Sequence, residues 1–222
     1  MISKINKAPK VEKPSAELLK IKNLFDTYPD ISQLFLQNET GAVIFMLDRN
    51  VIIHGDIEAA EVKNFLSFLR PESVFSASGN MEKLFDGFVE VNVLINEKPG
   101  KAIGNSVFCD DLSSREIYDI LTVDEFTLPP YEHFATDYCR RLNHGKIKVF
   151  AKKGLAAAVT LEEENYRLLA GISSKQKGLG GALLYAAVSG DKPVLCVAED
   201  RLLPFYIKFG FKPLYKAGYW RK

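Results

Sequence analysis

Between an apolar run at residues 166–170 and a helical pattern at about 177–188 stands Lys175-Gln176-Lys177-Gly178-Leu179-Gly180-Gly181. A strand that enters a helix through glycines constrains the chain to layered α/β packing. It also gives the glycines a physical meaning, because they let main chain approach an oxygen anion and turn successive amides toward it. The positive end of the helix dipole adds to the attraction, and Lys175 and Lys177 supply counter-charge. A Gly-x-Gly alone is an ordinary surface turn; the strand before it and the helix after it carry the argument.

Two other phosphate motifs fit this segment less well. A P-loop requires a lysine followed by Ser or Thr after its last glycine, and none stands there. A dinucleotide fingerprint spaces its three glycines and places an acid about twenty residues on. Gly178, Gly180 and Gly181 are crowded, although Asp200 stands near that distance.

The rest of the chain alternates in the same manner. Ser15 reads as the N-cap of a first helix carrying Leu18, Leu19, Lys22 and Phe25 and ending near Tyr28. Residues 43–47 and 51–54 read as a hairpin around Asp48-Arg49-Asn50, followed by a helix at 57–69 that Pro71 stops. A strand at 73–76, a short helix at 81–85, a strand at 88–95 and a turn at 97–100 complete the first half. The second half opens with a helix capped by Ser113 or Ser114 and another from Pro129-Pro130 to His144-Gly145. Strands follow at 147–151, 155–161 and 166–170, then the glycine loop and its helix, a strand at 193–198, a helix at 201–208 and a strand from 211.

The two halves echo each other, the series running to Gly87-Phe88 in one and to Gly210-Phe211 in the other with nearly equal spacings. They differ at the turn into the long helix. The first half has His54-Gly55-Asp56, acidic with one glycine, so only the second is suited to a polyphosphate there. The expected organisation is an arm at 1–14, a degenerate domain at 15–105 and a second domain at 106–222.

Charge excludes some partners. Twenty-nine basic against 28 acidic residues leave a net charge of +1, so no overall field recruits nucleic acid or an anionic membrane. The lysine-rich residues 1–14 lack apolar periodicity and are expected to form a mobile, solvated arm. No apolar run reaches the roughly 18 residues of a membrane span, and none follows the N-terminal lysines as in a signal peptide. Cys109, Cys139 and Cys196 are scattered and odd in number, which suits reduced core thiols in a cytoplasm better than a disulfide framework. His54, His133 and His144 are far apart and imply no metal site.

A second constellation is Pro204-Phe205-Tyr206-Ile207-Lys208-Phe209-Gly210-Phe211, where the aromatics would pack inward and Gly210 would end a helix. Together with Lys175-Gln176-Lys177-Gly178-Leu179-Gly180 it resembles the GCN5-related N-acetyltransferase (GNAT) family, whose members share an Arg/Gln-x-x-Gly-x-Gly/Ala loop and a downstream Phe-Tyr-x-x-x-Gly-Phe helix. The resemblance covers about residues 113–216 well and the first half as a worn echo. It implies an α+β fold, a central mixed sheet flanked by helices, with acetyl-CoA bound by Lys175, Gln176, Lys177, Gly178, Leu179, Gly180 and Gly181 and by the backbone of the strand at Leu168 and Ala170. Lysine at 175, where the family has arginine or glutamine, keeps charge and loses the planar fork. Gly171-Ile172-Ser173-Ser174 lacks the family's usual proline and acid.

The resemblance implies direct transfer of an acyl group, acetyl in the family, to a small amine or a protein amino group. Tyr206 falls beside the sulfur as a proton donor, and its ordinary pKa of about 10 against about 8.5 for a thiol suits a helper role. Glu132 on the helix after Pro130 is the candidate base, ahead of Glu162, Glu163 and Glu164 at a strand junction. Tyr215, Tyr219 and Trp220 are expected in a closing strand. The alternative is a coenzyme A-binding or regulatory protein whose chemistry has lapsed. Two halves pairing within one chain as a pseudo-dimer would make a partner unnecessary, and a homodimer is the other arrangement.

Overall fold

The computed structural model describes residues 1–98, 100, 108–122 and 128–222. The expected boundary at 105/106, and Pro99 of the expected turn, lie outside the described residues. Two compact units are present: Met1–Leu94 with Val197–Leu203 and Pro213–Lys222, and Ile95–Cys196 with Pro204–Lys212. Neither is one continuous stretch, because short segments from the end of the chain return to each.

The first unit begins with β1 (Ile2–Lys4), antiparallel to β2 (Gln33–Gln37), with Ile2 opposite Gln37 and Lys4 opposite Phe35. The expectation of a mobile arm at residues 1–14 is therefore corrected. Three residues are too few to show alternation, so what orders them is the main-chain pairing that β2 offers, and Val11 beyond them is buried. Helix α1 (Ala16–Thr27) starts at Ser15, whose Oγ accepts the Leu18 amide at 3.1 Å. Strands β3 (Val43–Leu47) and β4 (Asn50–His54) form the expected hairpin with Leu47 opposite Asn50. Its two-residue turn puts Asp48 and Arg49 at φ 46° and 63°, the left-handed conformation that matches strand twist. Arg49 pays for that conformation by donating to the Arg70 carbonyl and pairing with Glu72 at 2.6 Å.

Helix α2 (Ala59–Leu69) buries Val62 and Leu66 against Ile44, Ile53 and Val74, the apolar period legible in its sequence. Next come β5 (Ser73–Ala77), parallel to β4, then α3 (Ser78–Leu84) and β6 (Val89–Asn96). The last strand, β11 (Lys212–Arg221), lies between β5 and β6, giving the order β1-β2-β3-β4-β5-β11-β6. Tyr219 stacks on Phe75 and Trp220 on Phe85, so these residues close the sheet as expected.

One polar group is buried where α1, β4 and β11 meet. Glu17, 2% exposed, accepts from Ser15 Oγ at 2.9 Å and from the Tyr215 hydroxyl, which in turn accepts the Ala16 amide at 2.9 Å. Ser15 gives its only proton to Glu17, so His54 Nδ1, 3.1 Å from the same Oγ, must be the donor. Burial lowers the His54 pKa from its ordinary value, opposed in part by the Glu17 charge. The unfolded chain then takes the proton first, so this contribution to stability is complete above about pH 6.5 and is lost as pH falls through the lower folded-state value. His54→Gln is expected to flatten the pH dependence of urea unfolding below about pH 6.5. An unaltered slope would show that His54 does not carry it.

The second unit opens with α4 (Ser114–Leu121), capped by Ser113 in a reciprocal box with Glu116, and α5 (Tyr131–Asn143), which follows Pro130. Strands β7 (Ile147–Lys152), β8 (Ala156–Glu162) and β9 (Arg167–Ser174) form an antiparallel meander. Helix α6 (Leu179–Val188) leads to β10 (Val194–Ala198), parallel to β9, and a 3-10 turn at Asp200–Leu202 leads to α7 (Leu203–Lys208). The strand order is β10-β9-β8-β7. Meander, helix, parallel strand, short helix and final strand thus recur along the chain. Among the described residues no helix is long and apolar enough to cross a membrane.

Candidate functional site

Strand β9 is where the second unit opens. On one side it pairs with β8 along its length, but Val159 faces Gly171 while Thr160 faces Leu169. Ala170 is the surplus residue of a bulge, and its side chain is exposed. On the other side β10 matches only Arg167 to Leu169, with Val194 to Cys196. From Ala170 to Ser174 β9 therefore keeps an edge without a β10 partner, main chain that can bind an extended ligand as an added strand would. Leu168, expected to contribute backbone contacts, sits two residues inside that point, paired with both Leu161 and Leu195.

The loop after β9 spends some amides on itself. Lys175 N–H donates to Leu155 O at 2.7 Å, Gln176 N–H to Ser174 Oγ at 3.3 Å, and Leu179 N–H to Gln176 O at 3.2 Å. Among the described residues the amides of Lys177, Gly178, Gly180 and Gly181 have no such partner, the last two because they lie in the first turn of α6. No side chain caps that turn, and no acid lies in it. The other end of α6 is satisfied: the buried Arg167 guanidinium donates to Ala187 O at 3.2 Å and Val188 O at 2.8 Å. A helix secured at its negative end and left bare at its positive end has the electrostatics that attract an anion.

The three glycines are not alike. Gly178, at φ 88°, adopts a left-handed conformation that costs other residues about 1–2 kcal/mol. A Cβ on Gly180 would meet nothing within 4 Å, so packing among the described residues does not require its bareness. A Cβ on Gly181 would stand 2.6 Å from Phe209 Cζ, so its missing side chain is space taken by α7, a packing role that the sequence reading did not give it. Lys175 and Lys177 are exposed beside this mouth.

Tyr206 lies on α7, 6% exposed, its ring edge-on to Phe205 and Phe211 at 5.3 and 5.5 Å. Burial, with Cys196 nearby, pushes its pKa well above the tyrosine range, so it stays a protonated phenol. Among the described residues its hydroxyl has no hydrogen-bond partner. Glu132 is exposed in the first turn of α5, a helix that packs on α4 and β7. Glu162 and Glu163 bind Thr160 and Lys146 at the opposite end of β9 from the loop, which makes them structural. A cleft of about 380 Å³ between Asn96, Lys98, Tyr185, Val188 and Lys212 runs along the C-terminal half of α6 and is separate from the bare mouth.

The first unit fills the same places with its own side chains. The Glu58 carboxylate caps α2, accepting from Ala60 N–H at 3.2 Å and Glu61 N–H at 2.7 Å. Where β4 and β5 part after Ile52 and Phe75, Ser76 Oγ donates to Ile53 O at 2.9 Å and Asn80 Nδ2 to Gly55 O at 2.8 Å. The helix mouth and the strand gap are both occupied.

No family model matches the chain, and no curated protein matches its sequence. Solved structures match in fold. A GCN5-related N-acetyltransferase from Sphaerobacter thermophilus aligns with a TM-score of 0.55 at 14% identity, covering 100% of this chain and 95% of its own. A tandem GNAT protein from the clavulanic acid biosynthesis pathway gives 0.53 at 10%, covering 97% and 90%. A functionally unknown conserved protein from Staphylococcus epidermidis ATCC 12228 gives 0.50 at 14%, covering 80% and 89%. The chain has the GNAT fold.

Proposed function

We propose that this protein transfers an acyl group, acetyl in the simplest case, from coenzyme A to an amine. The observation that carries the reading is the bare N-terminus of α6 beside the open edge of β9, one matching a pyrophosphate and the other an extended amide chain. Coenzyme A, when bound, supplies the activated thioester. Lys177, Gly178, Gly180 and Gly181 present free amides to the pyrophosphate, and Lys175, Gln176 and Lys177 supply mobile polar side chains. Leu179, whose amide is turned back onto Gln176, shields the mouth with its side chain. The bulge at Ala170 holds the acyl carbonyl and steadies the negative charge that develops on its oxygen. Tyr206 donates a hydrogen bond to the departing sulfur.

An amine that arrives charged must lose a proton before it attacks, and Glu132 is the proposed acceptor of that proton. Glu132→Gln is expected to lower kcat/KM for the amine roughly tenfold while coenzyme A affinity holds. An undiminished kcat/KM would rule Glu132 out. The acceptor belongs to the class of small amines or protein amino groups, and either a monomer with paired halves or a homodimer could serve it.

Titration calorimetry with coenzyme A tests the core of this reading. Binding is expected, with competition by the nucleotide half of the molecule alone; absence of heat with both would end it. Thiol release from acetyl-CoA over a panel of amines then separates a working transferase from a binding protein whose chemistry has lapsed.

A further inference from the structure

The helix that carries Tyr206 is short. Six residues following a 3-10 turn have little intrinsic stability, so the position of α7 must be set by what holds its ends and flanks. Its C-terminal turn closes on itself, Phe209 N–H and Phe211 N–H both reaching Tyr206 O at 3.0 and 3.2 Å. The Phe209 carbonyl would then be left over in a partly buried place. It is taken by Asn96, at the end of β6, whose Nδ2 donates to it at 3.1 Å. Asn96 is 6% exposed, and its Oδ1 accepts the Lys98 amide at 3.1 Å, which fixes which way the amide faces. Gly210, at φ 84°, takes the left-handed conformation that ends the helix and turns the Phe209 carbonyl toward Asn96.

The residue held in this way has two further contacts. The Phe209 ring fills the space of the missing Gly181 side chain in the first turn of α6, and it lies 5.2 Å from the Phe205 ring, which is edge-on to Tyr206. From Asn96 a line of direct contacts therefore runs through Phe209 to the helix mouth on one side and through Phe205 to the phenol on the other. We infer that Asn96 is a positioning residue of the transfer reaction: by holding Phe209 it sets the distance between the phosphate-binding turn of α6 and the Tyr206 hydroxyl. This rests on the acyltransferase reading for its chemistry, whereas the geometric part stands without it.

The test uses full-length protein labelled with 3-fluorotyrosine, the Tyr206 resonance being assigned by its loss in Tyr206→Phe. In Asn96→Ala the Tyr206 line is expected to move, with that of Tyr185 in the cleft beside Asn96, while the remaining tyrosine lines hold, and calorimetry is expected to show coenzyme A affinity within about twofold of the parent chain. Asn96→Ser, a shorter side chain that keeps a donor, should restore the line in part. With an accepting amine in hand, kcat should fall on the order of tenfold in Asn96→Ala, inside the hundredfold that a misplacement of about 1 Å can cost, with KM unchanged. Asn96→Ala combined with Tyr206→Phe should be no slower than Tyr206→Phe alone. An unmoved Tyr206 line, equal movement of all tyrosine lines, or multiplied effects in the double variant would overturn the inference. A parent chain that binds no coenzyme A overturns the acyltransferase reading instead, and the fluorine spectra of the apo proteins still decide the role of Asn96.

Discussion

Gly178→Asp is expected to weaken coenzyme A binding by at least about a hundredfold, near 2.7 kcal/mol. Aspartate is among the residues that tolerate the left-handed conformation at this position, so the loop should keep its path. Its carboxylate then adds a negative charge beside the amides of Gly180 and Gly181, the charge that Glu58 places at the helix terminus in the first unit. A pyrophosphate would have to endure that charge. Gly178→Ala is the control, since it bears the backbone cost without adding an acid and should lose about tenfold or less. Calorimetry on both variants decides the matter: equal affinities would mean that the phosphates do not sit at the mouth of α6.

Tyr206→Phe is expected to lower kcat roughly a hundredfold, the scale of removing one well-placed donor to a developing charge. Coenzyme A affinity should stay within about twofold, because the hydroxyl matters only when the thiolate forms. Burial fixes the pH behaviour as well. A pKa pushed above the usual 10 means that the donor proton stays on through alkaline pH, so the parent chain should show no loss of rate from tyrosinate formation below about pH 10. Steady-state kinetics across pH on the parent and the variant check both statements, and an undiminished kcat would remove Tyr206 from the mechanism.

The long elements were legible because their apolar period agrees with their burial. Val62 and Leu66 of α2 and the hairpin at Val43 and Ile53 fall where the pattern puts them. Strands β1 and β2 were not, since Ile2-Ser3-Lys4 is too short to show a period and Gln33–Gln37 packs three apolar residues in a row between glutamines. The helix mouth could be read from glycines and lysines set between a strand pattern and a helical one. The reason for Gly181 could not, because it is the ring of Phe209, 28 positions away in sequence. The bulge at Ala170 was equally hidden, as nothing in Leu168-Leu169-Ala170-Gly171 marks one residue as surplus until β8 is laid beside it. In the first half the sequence drew attention to Asp56, while the acid that closes α2 is Glu58.

An anion tethered to the chain is present at a fixed and very high effective concentration, whatever the cell contains. Glu58 gives the first unit such a permanent ligand, so its helix terminus feels no linkage to cofactor supply, and amide exchange at Ala60 and Glu61 should be indifferent to added coenzyme A. The second unit has no such tenant. If coenzyme A binds as proposed, exchange at Gly180 and Gly181 should slow as it is added, so the same helix terminus would be a constant in one half of the molecule and ligand-responsive in the other.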